Sequence, residues 1–135
     1  MTLEIIKQSL EKWHQMIQTG DMSHLNELLA DDVVFRSPVA YKPYEGKHVV
    51  FFILTNVIQV FENFTYHREF YTEDGKNVVL EFSANVSNKA LKGIDMIRFN
   101  EHGKIIDFEV MIRPMSGLAA LAEQMGARFA QYQSN

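Results

Sequence analysis

Apolar positions recur along this chain at two different periods, and the change of period divides it. Near the N-terminus Leu3, Ile6, Leu10, Trp13 and Ile17 fall at helical spacing, with Lys7, Glu11 and Lys12 elsewhere on the wheel. Thr2 suits the cap of this helix and Gly20 its end. Asp21 or Ser23 can cap a short second helix whose Leu25, Leu28 and Leu29 face inward, and Ala30-Asp31-Asp32 is expected to end it. Residues 33–36 then read as a short strand, stopped by Ser37-Pro38 because proline cannot continue a ladder. After a loop over 39–46, residues 47–61 are helical and apolar on most faces, which predicts burial on more than one side.

From there the period becomes two. Residues 64–71 and 78–86 read as strands around Glu73-Asp74-Gly75-Lys76, a turn of the Asp-Gly kind. Val78, Leu80, Phe82, Ala84 and Val86 share one face; Glu81, Ser83 and Asn85 share the other. Residues 93–114 form two more strands about Asn100-Glu101-His102-Gly103, where Gly103 is free to take positive φ. Residues 116–129 close the chain as a helix striped with Leu118, Leu121, Ala122, Met125 and Phe129. Helices first and consecutive strands afterwards predict an α+β fold. The expectation is a single domain over 1–135, a curved antiparallel sheet closing over the N-terminal helices as a cone with a pocket inside.

One residue disturbs the alternation. Asp95 shares a face with Ile97 and Phe99, while Phe108, Val110 and Ile112 share a face on the next strand. If both sets point inward, a carboxyl group lies among apolar side chains, where it is neutral, hydrogen-bonded or chemically active. The opposite parity sends Ile94, Met96, Met111 and Ile105 outward among Glu81, Arg98, Asp107, Glu109 and Arg113. That face is too apolar for full solvation, so the sequence predicts a homodimer through it. His67, on the parity of Thr65 and Glu69, goes with the polar side.

Composition narrows the classes of function. The chain has 135 residues, 47% of them hydrophobic and 22% charged, which suits one soluble domain with a real core. A net charge of −4 gives no reason to expect nucleic acid or an anionic membrane as partner. Cysteine is absent, which removes disulfides, thiol nucleophiles and Cys-ligated metals. The first residues carry acids and no apolar run of signal-peptide type, and the apolar run 49–54 is too short to span a bilayer. A cytoplasmic protein is the expectation. His14, His24, His48, His67 and His102 lack metal-ligand spacing, and no phosphate loop or nucleophile elbow is present, so neither metal nor cofactor is expected.

With these elements in order, certain segments carry a resemblance. They are Gly20-Asp21 after the first helix, Ala30-Asp31-Asp32 to Ser37-Pro38, Gly46 before the third helix, and Ile94-Asp95 through Arg98-Phe99-Asn100 to Gly103-Lys104-Ile105. Together the chain resembles the nuclear transport factor 2-like superfamily, which includes ketosteroid isomerases, limonene epoxide hydrolases and SnoaL-type polyketide cyclases. The resemblance implies that Asp95 stands where a ketosteroid isomerase keeps a protonated aspartic acid donating to the substrate oxygen. Two further isomerase positions differ: the general-base aspartate before a proline is Ser37, and the oxyanion tyrosine of the first helix is Trp13. An unassisted serine lacks useful basicity and an indole N–H is a weak acid, which argues against steroid isomerisation. The epoxide hydrolase pattern needs an Arg two residues before Asp95, where this chain has Gly93. The cyclase acid falls near Met111 and Ile112, and the nearest carboxylate, Glu109, alternates to the outer face.

The expected site is therefore Asp95, as acid, base or hydrogen-bond donor, in a pocket walled by Trp13, Phe82, Phe99, Phe108, Val110 and Ile112. Asp95 has a plain structural reading too, as an acceptor for backbone groups or for Trp13 Nε1. His14 lies at the edge of its helix stripe, within reach of the pocket; Ser37 either caps a turn or meets the ligand; Tyr41 and Tyr44 lie at the mouth or on plain surface. Two functions fit: a small cofactor-independent enzyme that isomerises, cyclises or hydrates an apolar oxygen-bearing molecule, or a non-catalytic module that binds a hydrophobic ligand or acts as a dimeric interaction unit.

Overall fold

Alternating patterns and turn residues produce the elements α1 (Thr2–Thr19), α2 (Leu25–Leu28), β1 (Leu29–Arg36), β2 (Tyr44–Glu45), α3 (Lys47–Val60), β3 (Glu62–Tyr71), β4 (Asn77–Val86), β5 (Lys89–Phe99), β6 (Ile105–Arg113) and α4 (Met115–Ser134). The computed structural model describes residues 2–134, with side chains from 3 to 131, so the capping role expected of Thr2 lies outside the described side chains. The fold is α+β, with helices packed on a curved, unclosed sheet of six strands in the order β2-β1-β6-β5-β4-β3. Every neighbouring pair is antiparallel except β1 and β6, which run parallel. No helix among the described residues is long and apolar enough to cross a membrane.

Strand β1 begins earlier than the sequence predicts. Ala30-Asp31-Asp32 does not end a helix; Leu29 already pairs with Ile105. α2 is a single turn whose N-cap, His24, makes no side-chain cap bond. So short a helix has little to propagate it, and the chain gains more by extending against β6.

β4 and β5 alternate as expected. Val78, Leu80, Phe82, Ala84 and Val86 are all buried, as are Leu91, Asp95, Ile97 and Phe99. Register shifts elsewhere in the sheet break simple parity, and two of them move residues off the expected pattern. Between the pairs Tyr66–Phe82 and Glu69–Leu80, β3 spends an extra residue. Both His67 and Arg68 therefore face outward, to Ser83 and Glu81, and Glu69 turns to the inner side beside His14. His67 is on the polar side as expected; Glu69 is not. A second shift between Arg98 and Phe99 returns Ile105 to the core at 0% exposure, which corrects the expectation that it lies on the outer face.

The concave side of the sheet is filled from two directions. Ile6, Leu10 and Trp13 of α1 and Val50, Ile53 and Leu54 of α3 pack with Val78, Leu80, Ile97, Phe99 and Phe108 of the sheet. A smaller cluster under α4 joins Leu121 and Met125 to Phe82, Ala84, Val86 and Leu91. Burying each of these large side chains contributes about 1.5–3 kcal/mol. α4 also reaches α3 by a ring contact of Phe129 with Phe52 at 5.7 Å and by Arg128, which donates to Asn56 and Gln59. The C-terminal helix thus packs on α3 and on the inner residues of β4 and β5.

Candidate functional site

Three side chains from three elements meet on the concave side. Trp13 Nε1 donates to the Tyr66 hydroxyl oxygen at 2.9 Å, and the Tyr66 hydroxyl donates to Asp95 Oδ2 at 2.6 Å. β4 sets their spacing, because Leu80 pairs with Asp95 on one side and Phe82 with Tyr66 on the other. The direction of the chain is fixed by chemistry. An indole N–H only donates, so Tyr66 spends its acceptor on Trp13 and its single proton on Asp95. Tyr66 thus stands between the two groups that the sequence would have joined directly.

Asp95 is only 5% exposed. Burial pushes its carboxyl up to about 7 from an ordinary 3.8; the Tyr66 hydrogen bond pulls the other way without prevailing. Burial, then the neighbouring Asp95, holds the Tyr66 phenol well above its usual range, so Tyr66 keeps its proton and remains a donor. Since Oδ2 accepts from Tyr66, the proton of a neutral Asp95 belongs on Oδ1. Asp95 Oδ2 accepts from Tyr66, and the residue lines a small space with mostly apolar walls. The arrangement presents one titratable carboxyl, poised near neutrality, to an apolar space.

That space is small. The void at Asp95 has a volume of about 40 Å³ and is walled by Trp13, Phe35, Val57, Phe64, Tyr66, Phe108, Val110 and Leu121, among others. A drug-sized ligand needs about 300–1,000 Å³. A neighbouring hollow of about 170 Å³ lies against Ser37, Pro38, Val39, Ala40, Tyr44 and one face of α4.

The expected site residues divide among these spaces. Trp13, Phe108 and Val110 line the void at Asp95. Ser37 and Tyr44 line the neighbouring hollow, and Ser37 Oγ also accepts the Val39 N–H at 3.0 Å, closing the turn before the hollow. Tyr41 is fully exposed and lines neither. Phe82, Phe99 and Ile112 were expected as walls but line neither space: Phe82 packs its ring on Phe61 and Phe64, Phe99 belongs to the main core, and Ile112 packs on the smaller cluster. His14 meets Tyr66 edge-on, ring centroids 5.2 Å apart, and opens into a groove beside α1 with Glu69 and Tyr71. Its Nε2 lies 2.5 Å from Glu69 Oε1, an ion-pair distance, but without the alignment a hydrogen bond requires. The Tyr71 hydroxyl donates to the same carboxylate, which pushes the phenol up to about 12.

Sequence reasoning missed Tyr66 and Leu121 as members of the site. For Tyr66 a signal existed: it alternates with Phe64 on a strand whose neighbour buries Phe82. Gly93 also gains a reason. A Cβ there would press on the Met111 carbonyl oxygen and lie 2.8 Å from the Phe82 ring, so the epoxide hydrolase arginine has no room at this position. Among the described residues no group of three His, Asp or Glu side chains is placed to hold a metal ion.

The raised Asp95 carboxyl has a consequence for stability. Its proton is held more tightly in the folded chain than in the unfolded one, where the ordinary 3.8 applies. The native state therefore loses stability as pH climbs from about 4 to about 7, by an amount on the order of 4 kcal/mol. Asp95→Asn does not titrate. Chemical denaturation across this range is expected to show the variant gaining on the wild type as pH rises, with a plateau above about 7. A difference that stays flat with pH contradicts a raised carboxyl.

Comparison with known proteins agrees with this architecture. A family profile described as the SnoaL-like domain matches residues 10–108. No curated protein matches the chain. Among solved structures the chain is similar to a steroid delta-isomerase from Pseudomonas aeruginosa, at 55% identity over 97% of this chain and 96% of that one, with a TM-score of 0.94. It is similar as well to a protein of cystatin-like fold from Silicibacter pomeroyi DSS-3, at 36% identity over 93% of this chain and 92% of that one, TM-score 0.81. The fold alone extends to SalBIII, an epoxide hydrolase/cyclase-like enzyme in pyran ring formation in the polyether salinomycin, at 16% identity over 83% and 92% of the two chains and TM-score 0.67. By the profile and by these relatives, the chain belongs to the SnoaL-like family of the nuclear transport factor 2-like superfamily.

Proposed function

We propose that this protein is a small, cofactor-independent acid–base enzyme of isomerase, cyclase or hydratase type, acting on an apolar molecule that carries an oxygen. The observation that carries the reading is the directed chain from Trp13 through Tyr66 to Asp95, ending at an apolar void. A carboxyl near pH 7 is populated in both forms at neutral pH, the condition under which one group can accept a proton and return it. In an isomerisation Asp95 would take a proton from one carbon of the substrate and deliver it to another, leaving the enzyme unchanged. Tyr66 would hold the carboxyl in place and follow its charge through the hydrogen bond.

The name of the Pseudomonas aeruginosa relative supports isomerase chemistry. Ser37 and Trp13 stand against the ketosteroid isomerase's own base and tyrosine, so any proton transfer here rests on Asp95. A second reading, a non-catalytic binding or interaction module of the same fold, draws on the small volume of the void, about 40 Å³. Turnover decides between them. With bicyclic β,γ-unsaturated ketones, kcat/KM is expected to titrate with an apparent pKa of about 7. Asp95→Asn is expected to lower it about 10²-fold or more and to erase that limb. Turnover undiminished in Asp95→Asn overturns the assignment; Asp95-dependent binding of these ketones with no turnover favours the second reading.

We also propose that the protein is a cytoplasmic homodimer joined through the outer sheet face, where Met96 and Met111 are 38% and 47% exposed and Ile94 is half-buried. Apolar area of this kind on a sheet face supports a partner surface. Light scattering at micromolar concentration is expected to give the mass of two chains, and Met111→Glu to shift it toward one. A wild-type monomer removes the proposal.

A further inference from the structure

A groove of about 560 Å³ runs between α1 and the end of β3, and its walls share no residue with the space at Asp95. That volume lies within the range of about 300–1,000 Å³ that a drug-sized ligand occupies. Leu3, Ile6, Lys7, Leu10, Glu11 and His14 supply the α1 side, at the spacing of one helix face. At the rise of an α-helix this side is roughly 16 Å long. Val78 of β4 joins the aliphatic side chains of α1, so the body of the groove is apolar. Leu3 marks one end, where a Cβ at Gly75 would fall 2.3 Å from Leu3 Cδ1. Leu3 is 41% exposed and Tyr71 57%, so the groove opens to solvent.

The other end is polar. Here the register shift in β3 turns Glu69 to the side of His14, as bulges re-aim side chains elsewhere. A half-buried carboxylate beside hydrocarbon is costly unless it has partners. Tyr71 donates to one of its oxygens, Oε2. The other, Oε1, lies 2.5 Å from His14 Nε2, which is buried and has no hydrogen-bond partner among the described residues. Glu69 Oε1 and His14 Nε2 thus stand together with their hydrogen bonding unfinished. Lys7 and Glu11 are four apart on α1, close enough to offset each other. Two glutamates against one lysine leave the lining negative when His14 is neutral.

We propose that the groove between α1 and β3 is a second binding site, for an amphiphilic amine. The ammonium sits at Glu69 and His14, and the hydrocarbon chain lies along Leu10, Ile6 and Val78 toward Leu3. An ammonium has three donors, enough to serve Glu69 Oε1 and an unprotonated His14 Nε2 together. An alcohol brings one donor and no charge. A carboxylate head would meet Glu69 as a like charge. Nothing in this site depends on Asp95 acting as acid or base.

Octylamine, octanol and octanoate share one tail and differ in the head. Titration calorimetry at about pH 8, where an ordinary imidazole is neutral, compares them. Octylamine is expected to bind, with octanol and octanoate at least about tenfold weaker. Glu69→Gln is expected to weaken octylamine about tenfold and to leave octanol unchanged. Leu3→Gln, at an exposed position, is expected to weaken octylamine severalfold and butylamine hardly at all. Asp95→Asn is expected to leave octylamine affinity as it was. No binding of octylamine at millimolar concentration overturns the site, and so does octanoate bound as tightly. Wild-type affinity in Glu69→Gln overturns the seat of the ammonium, and wild-type affinity in Leu3→Gln the path of the chain. Affinity lost in Asp95→Asn but kept in Glu69→Gln puts the amine at the buried carboxyl, which also sinks a second site.

Discussion

The indole N–H of Trp13 can only donate, and the rest of the site depends on that fact. It commits the Tyr66 oxygen as acceptor, which commits the Tyr66 proton to Asp95, a residue that lines the small apolar space. Three elements are bound by this sequence of donors: α1, β3 and β5. None of them is a neighbour of the others in the sheet order, so the chain also ties the helix layer to two strands separated by β4. A neutral carboxyl bonded to Tyr66 beside an apolar space is a chemical tool. An ionised carboxylate in the same place would be a burden on the fold, and the raised pKa records that tension.

Size is the second constraint. A carboxyl poised near neutrality is of use only if a molecule can reach it, and the space beside it holds little. The closing element is α4, which packs Leu121 and Met125 on the smaller cluster.

Much of the fold was legible in the sequence because alternation is a strong signal when one face of a strand is buried. The inner positions of β4, and Asp95 with Ile97 and Phe99 on β5, are given by period two alone. The all-round apolar character of α3 likewise matches a helix set between sheet, α4 and α2. Features that depend on one extra residue could not be read. A bulge leaves no mark in the hydrophobic pattern, yet it sends Glu69 inward and keeps Ile105 in the core. The parallel pairing of β1 with β6 joins residues far apart in the chain, and no local pattern announces it. Asp95 was visible as an anomaly; its partner Tyr66 left only the fainter mark of its alternation with Phe64, because an aromatic on an inner strand face is ordinary core material until its hydroxyl is given a neighbour. Pocket volume was the least legible, since it is decided by side chains from several elements packing at once.

The central claim is that the Asp95 carboxyl is buried, bonded to Tyr66 and titrates far above an ordinary aspartate. Carbon-13 NMR of the side-chain carboxyl, assigned through Asp95→Asn and followed from acid to alkaline pH, measures this without substrate or ligand. The account predicts a midpoint of about 7, moving further upward in Tyr66→Phe as the stabilising hydrogen bond to the charged form is removed. A midpoint near the ordinary 3.8, indifferent to Tyr66→Phe, would contradict it.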